Sequence, residues 1–415
     1  MPFQPPRGTK DILPNEVFYW QEIEDSARRL FSLYNYKEIR TPIIEDIALF
    51  KRSLGDSTEI VQKQMFTIQK GQDVLVLRPE ATASIARAYL EHKLEHYSKI
   101  NKLFYIGPMF RAERPQKGRL RQFHHIGVEA IGSEDPLLDV EVIELMDNFL
   151  KTINIDRHTI LINSLGCSSD KNNLSQILKK KLSKYNESLC QDCKVRVSRN
   201  VFRVLDCKNE NCRKIVNSLN LDNNYLCDNC LKHFEVIVDG LKQCGVNFRV
   251  EKFLVRGLDY YSRTVFEVVH PDLGAQNALG AGGRYDYLFN ELAAKEIGAV
   301  GFAIGEERVL LVRKNKISEP KLVSYIITLG ERASRKGLEI LQLLRKESIP
   351  ADMEFSSGSL KSKLNQANKI GARFSIIIGD NELEKEIVIL KDMQQGTQRE
   401  VSLGKLLEQL RGSLC

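Results

Sequence analysis

Four stretches of this 415-residue chain gather side chains that could hold a charged small molecule. The first is FRAERPQKGRLRQFHHIGVEAIG (110–132), in which Arg111, Arg114, Lys117, Arg119 and Arg121 sit between apolar ends, followed by His124, His125 and Glu129. Planar guanidinium groups pair with phosphate oxygens through two hydrogen bonds at a time, and a ring such as that of Phe123 offers a face for a base. Glu129, flanked by Val128 and Ala130, is placed to meet a cationic or hydrogen-bonding ligand. The second stretch, RGLDYYSRTVFE (256–267), adds Arg256, Asp259, Tyr260 and Tyr261 in apolar, strand-rich surroundings. GAGGRYDYL (280–288) reads as a glycine-rich turn that lets backbone approach a ligand closely, although its spacing fits neither a P-loop nor a dinucleotide fingerprint. GAVGFAIGEERVLLVR (298–313) reads as a small-residue strand feeding a helix, with Arg308 in its first turns to reach a phosphate or cap a surface helix. On composition alone a solvated hairpin explains the first run most simply. Arginines recurring in the other stretches turn the balance toward a nucleotide site.

Cysteines supply a second kind of chemistry. Cys190 and Cys193, Cys207 and Cys212, and Cys227 and Cys230 form three closely spaced pairs. Two intervening residues let a pair of thiolates converge on one tetrahedral Zn²⁺. Cys190, Cys193, Cys227 and Cys230 are the expected set for a structural zinc, against a competing reading as free thiols. Cys167, Cys244 and Cys415 have no evident partner in the sequence.

These side chains need a scaffold. KLFYIGPMF and LRQFHHIGVEAIG, joined by the basic loop with Pro115 and Gly118, have the form of a hairpin. Side chains alternate along a strand, so Phe123, His125, Gly127, Glu129 and Ile131 share one face. Ile126, Val128 and Ala130 share the other with His124, apolar enough to pack on a core. Residues 15–34 place Val17, Trp20, Ile23, Ala27, Leu30 and Leu33 at helical spacing. YKEIRTPII (36–44) reads as a strand distorted by Pro42, DVLVLRPE (73–80) as a strand and EATASIARAYLEH (80–92) as a helix. SEDPLLDVEVIELMDNFL opens a helix with Asp135 as N-cap and Pro136 at the first position. Strands and helices are interspersed and the strongest strands are hairpin-like, which favours an α+β domain with an antiparallel sheet over a parallel doubly wound one.

From 166 to 242 the composition turns to Lys, Asn, Ser and Cys and reads as an insertion, after which strand-like text resumes. KNKISEPK, near 314–321, reads as a linker. Beyond it LVSYIITLG, a helix, ARFSIIIGD and EIVILKDM suggest a separate α/β module. The expected boundaries are 1–165 and 243–320 for a core in two parts, 166–242 for the insertion and 321–415 for the last module. A net charge of +7 tilts mildly toward a nucleic-acid partner, and 42% hydrophobic with 28% charged residues is ordinary for a globular protein. MPFQPPRGTKDILP lacks the apolar segment of a secretion signal, and no run approaches the ~18 apolar residues of a membrane span. The nine cysteines therefore suggest reduced thiols or metal ligands in a cytoplasmic protein, with no membrane partner.

Together these motifs resemble the histidyl-tRNA synthetases, a family of class II aminoacyl-tRNA synthetases. PPRGTKDILP, EIRTPIIEDIALFKRSLG (similar to motif 1), LRPEATA, FRAERPQKGRLRQF (similar to motif 2) and GFAIGEERVLL (similar to motif 3) extend over nearly the whole chain. LVRGLDYYSRTVFE and AGGRYD resemble the two signatures that set histidine-specific members apart. The resemblance implies a class II-like antiparallel sheet flanked by helices, with a Cys-rich insertion and a C-terminal α/β anticodon-binding domain. It implies activation of L-histidine by ATP with Mg²⁺, transfer to the 3′ end of tRNA(His), and a homodimer formed through the motif 1 region. By the same resemblance Arg111 and Arg119 would bind the α- and γ-phosphates, Phe123 would stack on adenine, Arg308 would hold the γ-phosphate end and Arg256 would polarise the α-phosphate. Glu80, Thr82 and His125 would surround the amino group of histidine, Glu129 and Tyr261 its ring nitrogens, and Tyr260 and Tyr285 would line the pocket. His125 stands where the family usually has glutamine, Ala81 and Tyr287 where it has glycine, and Glu306 where it has an apolar residue. Two other readings compete. One is a histidine-binding regulatory paralogue without aminoacylation, a type that generally lacks the C-terminal module. The other is a zinc-bearing RNA-binding protein, for which basic charge supports only non-specific binding.

Overall fold

The computed structural model describes residues 3–55, 58–219, 221, 224–274, 276–314 and 322–412. It divides into two units, Met1–Lys316 and Ile317–Cys415. Most of the expected linker, from 315 on, lies outside the described residues, as does Cys415.

The strands of the first unit are β1 (Lys37–Glu38), β2 (Ile44–Asp46), β3 (Phe66–Lys70), β4 (Asp73–Leu77), β5 (Asn101–Phe110), β6 (Gln122–Ile131), β7 (Thr159–Ser164), β8 (Phe248–Val250), β9 (Ser262–Val269), β10 (Ala278–Arg284) and β11 (Ala299–Gly305). Among the described residues, eight of them form one sheet in the order β1-β5-β6-β11-β10-β9-β7-β8, and β2, β4 and β3 form a small second one. Neighbours in the large sheet are antiparallel except β1 with β5 and β7 with β8. The expected α+β architecture is present. Pro42 falls in the gap between β1 and β2, as a residue with no N–H for a ladder should. The glycines of the stretch expected to be a glycine-rich turn lie instead in strand β10, paired with β11 and, with register shifts, with β9. Its glycines serve space above the sheet: a Cβ at Gly282 would stand 2.5 Å from the Phe266 ring.

The helices of this unit are α1 (Pro14–Leu33), α2 (Ile47–Leu54), α3 (Thr82–Glu91), α4 (Pro136–Thr152), α5 (Ser168–Ser183), α6 (Gln191–Arg199), α7 (Phe202–Leu205), α8 (Glu210–Ser218), α9 (Asp228–Gln243), α10 (Tyr287–Ala293) and α11 (Glu306–Val312). Asp135 caps α4 by accepting the Leu137 N–H, with Pro136 at the first position, where its missing N–H costs nothing. The period-2 pattern of β6 decides the layering. Ile126, Val128 and Ala130 join Phe302 and Ile304 of β11 under α1, α4, α9 and α11. In α1, Trp20, Ile23, Ala27 and Phe31 are buried, whereas Leu33, expected inside, ends the helix exposed. The opposite face carries Tyr105, Tyr261 and Val265 beneath Phe50 and Leu54 of α2, Ile85 and Tyr89 of α3, and Leu288 and Phe289 of α10. Helices α5 to α8 enclose a separate small core that includes Leu174, Leu178, Val204 and Val216.

One buried charge cluster ties β10 to α4. Arg284 is fully buried, bonds to both oxygens of Asp139, donates to Asp286 at 3.0 Å, and reaches the carbonyls of Ser133 and Asp135. All its donors are used, so desolvation is offset by pairing. Removing one partner strands the other charge in the core. Asp139→Ala should lower the stability of the first unit by roughly 3–5 kcal/mol, read from urea unfolding by the fluorescence of Trp20, the chain's one tryptophan. A loss below about 1 kcal/mol would mean that the cluster is solvated.

The second unit holds a mixed sheet in the order β13 (Ala351–Met353), β12 (Ser324–Leu329), β14 (Phe374–Gly379), β15 (Ile387–Asp392), β16 (Gln398–Ser402). The first three strands are parallel and the last two antiparallel to their neighbours. α12 (Glu331–Lys346) lays Ile340, Leu341 and Leu344 on Ile326, Ile376 and Ile378; α13 (Leu360–Lys369) covers the other face at Tyr325, Ile327 and Ile377. Strands covered on both faces read as the unbroken apolar runs that mark this module in the sequence.

Candidate active site

Glu129 leaves β6 on the face away from the first core. Register aligns it with Gly301 of β11, Gly283 of β10 and Val265 of β9. A Cβ at Gly301 would stand 1.9 Å from Glu129 Oε2, one at Gly283 2.8 Å from the Tyr261 ring, and one at Gly127 2.4 Å from the Tyr105 hydroxyl. Three glycines thus make a floor on which a carboxylate and two phenols lie flat. Glu129 accepts from the Thr82 hydroxyl at 2.7 Å and from the Tyr285 hydroxyl at 2.5 Å. Burial pushes its carboxyl up to about 8, against these two hydrogen bonds and with a further rise from Glu80. Glu80 is buried too, and its oxygens accept the first amides of α3, Thr82 N–H at 2.7 Å and Ala83 N–H at 2.9 Å. Its immediate task is to cap that helix. Tyr260 packs 4.7 Å from Tyr261 and 5.8 Å from Tyr285, and burial pushes the Tyr261 phenol up to about 12, so it remains a donor.

The arginines are anchored by backbone carbonyls. Arg111 donates to Pro79 O at 2.9 Å, with its guanidinium 5.3 Å from the Phe123 ring. Arg308 donates to the carbonyls of Gln276 and Ala278, with Gly118 O at 3.5 Å, so the tip of the basic loop rests on α11. Arg119 meets Glu113 at 3.2 Å on the exposed side. Arg256 pairs with Glu267, while its buried Nε has no partner among the described residues. His125 lies 5.0 Å from Phe123; burial and then Arg111 push it down to about 3, so its imidazole is neutral, and Nδ1 has no partner among the described residues. Glu306 is fully buried and both its oxygens lack partners among the described residues, which drives its carboxyl well above the usual range.

Several contributors carry no sequence signal of their own. Arg78, buried, donates to Pro108 O at 3.0 Å and to Thr41 O and Oγ1 at 3.1 and 3.0 Å, and its acceptors are mostly backbone. Lys171 holds Asp259 O and Tyr261 O at 3.1 and 2.9 Å. Glu307 accepts the His124 N–H at 3.0 Å. Glu267 was legible, since strand parity puts it on the face of Val265. The cysteines depart from expectation. Cys190 and Cys193 gather with Cys207 and Cys212, whereas Cys227 and Cys230 gather with Cys167 and Asp170. The set Cys190, Cys193, Cys227, Cys230 is therefore not one site, and Cys167 is not isolated.

A largely antiparallel sheet that presents Arg111, Arg119 and Phe123 on a hairpin, with Arg308 at the head of the helix behind it, is the catalytic fold of a class II aminoacyl-tRNA synthetase. Residues 8–309 match the family model for histidyl-tRNA synthetase and residues 324–413 that for an anticodon binding domain. A histidine–tRNA ligase of Halothermothrix orenii is 46% identical over 416 residues, and one of Clostridioides difficile 40% identical over 415, each alignment covering 99% of both chains. The crystal structure of apo S. aureus histidyl-tRNA synthetase matches with a TM-score of 0.83 at 32% identity, over 99% of this chain and 100% of that one. The chain belongs to the histidyl-tRNA synthetase family.

The buried carboxylate makes a testable pH signature. The folded chain holds a proton on Glu129 up to about 8, whereas the unfolded chain releases it near 4.5. This contribution to stability therefore falls as pH rises across that interval. Glu129→Gln removes it, so in urea unfolding followed by Trp20 the variant's advantage should widen from pH 5 to pH 8, by at most ~1.4 kcal/mol per unit, and then flatten. A gap independent of pH would mean that Glu129 ionises as a surface carboxylate does.

Proposed function

We propose that this chain activates L-histidine with ATP, giving histidyl-adenylate and pyrophosphate, and then transfers the histidyl group to the 3′ end of tRNA(His). The observation that carries the reading is the glycine floor beneath Glu129 and Tyr261. It seats a carboxyl and a phenol whose polar atoms can satisfy both nitrogens of an imidazole. A site built this way rejects apolar amino acids, because its own polar groups would be left unpaired.

The roles follow. Glu129 and Tyr261 meet the ring nitrogens, Tyr260 and Tyr285 line the pocket, and Glu80, Thr82 and His125 stand around the α-ammonium. Phe123 stacks on adenine, Arg111 and Arg119 hold the α- and γ-phosphates, and Arg308 fixes the γ-phosphate end. A carboxylate oxygen of histidine attacks the α-phosphorus in line, the bond to the bridging oxygen breaks, and pyrophosphate departs. Negative charge grows on the phosphate oxygens as it does so. Fixed guanidinium groups stabilise that charge without reorganising. Arg256 is suited to this work, half-buried, oriented by Glu267 and with a buried Nε that has no partner among the described residues. ATP enters as its Mg²⁺ complex. In the second step the terminal ribose hydroxyl of the tRNA attacks the histidyl carbonyl and AMP leaves. The second unit, matched to an anticodon binding domain, would hold the other end of the tRNA. We further propose a cytoplasmic homodimer; no helix among the described residues is long and apolar enough to cross a membrane. A regulatory role is disfavoured, because this chain retains Arg111, Arg256 and Arg308 along with the anticodon module.

Pyrophosphate exchange into ATP, run with each of the twenty amino acids and no tRNA, should proceed with histidine alone. Histidine binding without exchange would favour the regulatory paralogue instead. Arg256→Ala should slow exchange by ~10²–10³ with Trp20 fluorescence unchanged, and normal turnover would remove Arg256 from the reaction. Gly301→Ala, which pushes on the Glu129 carboxylate, should raise the KM for histidine roughly tenfold or more and leave that for ATP nearly alone. Equal effects on both substrates would move Glu129 out of the amino-acid pocket.

A further inference from the structure

The cysteine-rich segment is folded around a point. Cys190 is the N-cap of α6 and Cys193 lies in its first turn; Cys207 follows α7, and Cys212 lies in the first turn of α8. Their four sulfurs all lie within 4.8 Å of one another. Cys193 and Cys212 are fully buried and Cys207 nearly so. Cys190 Sγ and Cys207 Sγ are 3.9 Å apart, and sulfurs ~2.3 Å from one tetrahedral centre stand about 3.8 Å from each other. The Cys190 N–H donates to Cys212 Sγ at 3.3 Å, and the N-terminal turns of α6 and α8 both carry members of the cluster.

The local fold also needs a fastener. α6 and α8 have nine residues each and α7 four, short for helices in water without strong packing. In such a module the free energy of metal binding is free energy of folding. The second group is a poorer candidate. Both oxygens of Asp170 already accept the amides of Cys167 and Cys227, at 3.2 and 3.1 Å, and Cys227 is exposed.

We propose that Cys190, Cys193, Cys207 and Cys212 bind one structural zinc ion, and that this ion braces the strip bearing Arg256, Tyr260 and Tyr261. Between the second and third ligands the chain passes Asn200, whose amide donates to Asp259 Oδ1 at 3.0 Å, and Arg203, which points to Gly257 O at 3.5 Å. Phe253, just before the strip, packs against the core of the insertion. The ion acts through this contact, as a positioning element rather than a catalytic one. Its effect on activity rests on the adenylation reading; its presence does not.

The full chain, produced with zinc under reducing conditions and passed over a chelating resin, should retain one zinc per molecule by elemental analysis. Cys207→Ser and Cys212→Ser should each lose it, and Cys227→Ser should keep it. Exchange of the zinc for Co²⁺ should give the thiolate charge-transfer and tetrahedral d–d bands of a four-sulfur site. Zinc-free protein, zinc lost with Cys227→Ser alone, or a disulfide among the four in alkylation mass spectrometry would overturn the site. Asn200→Ala, which touches no ligand, should keep its zinc yet lower kcat for histidine-dependent exchange about tenfold, with the KM for ATP unchanged. Unchanged kcat in that variant would overturn the brace while leaving the metal-content result to stand by itself.

Discussion

The first unit depends on keeping the Glu129 carboxyl group out of water. Glu129 lies flat on a sheet because Gly301 beside it has no side chain, and the same device at Gly283 and Gly127 seats Tyr261 and Tyr105. A glycine in mid-strand weakens a sheet and packs nothing. Here the loss is met from the other face, where Ile126, Val128, Phe302, Ile304 and Phe266 fill one core under four helices. One face of each strand provides cohesion and the other provides room. The Arg284 cluster then fixes β10 to the start of α4, so that the glycine row cannot slide relative to β6.

Around Arg111 and Arg308 the problem is reversed. Cations must be concentrated without collapsing onto nearby carboxylates. Arg111, Arg308 and Arg78 are held chiefly by main-chain carbonyls, which orient a guanidinium without cancelling its charge. Those acceptors belong to backbone that is itself fixed at the ends of strands. The side-chain entropy of ordering long residues is therefore met on folding rather than when a ligand arrives, which is the meaning of preorganisation in a charged site. Arg256 is different, since Glu267 shares its charge and its Nε has no partner among the described residues.

How much of this was legible depended on whether the signal was local. The alternation of residues 122–131 predicted which side of β6 would pack on the core and which would carry Glu129, and Asp135 with Pro136 predicted where α4 starts, because both rules involve neighbours in sequence. GAGGRYD misled, because glycine tolerates many conformations and clustered glycines are equally read as a turn or as a strand that must leave space. The thiols misled for a related reason. Spacing says which two cysteines can share a centre, but which pairs meet is set by how α6, α7 and α8 fold back, and that rests on a few apolar contacts among Val201, Val204 and Val216. Arg78 and Lys171 were invisible because their partners are carbonyls, which every residue has.

His125 stands at the boundary between the two halves of the site and shows how the balance holds. A third positive charge beside Arg111 and Arg78 would add repulsion, but burial and those same arginines keep the imidazole neutral. Glutamine would offer a donor and an acceptor; a neutral imidazole with its proton on Nε2 offers an acceptor at Nδ1, the atom without a partner among the described residues. In the proposed reading the group to be met is an α-ammonium, which can only donate. The exchange of amide for imidazole therefore keeps the half of the side chain that such a ligand would use, and Arg111 and Arg78 help hold the ring in the form that can accept.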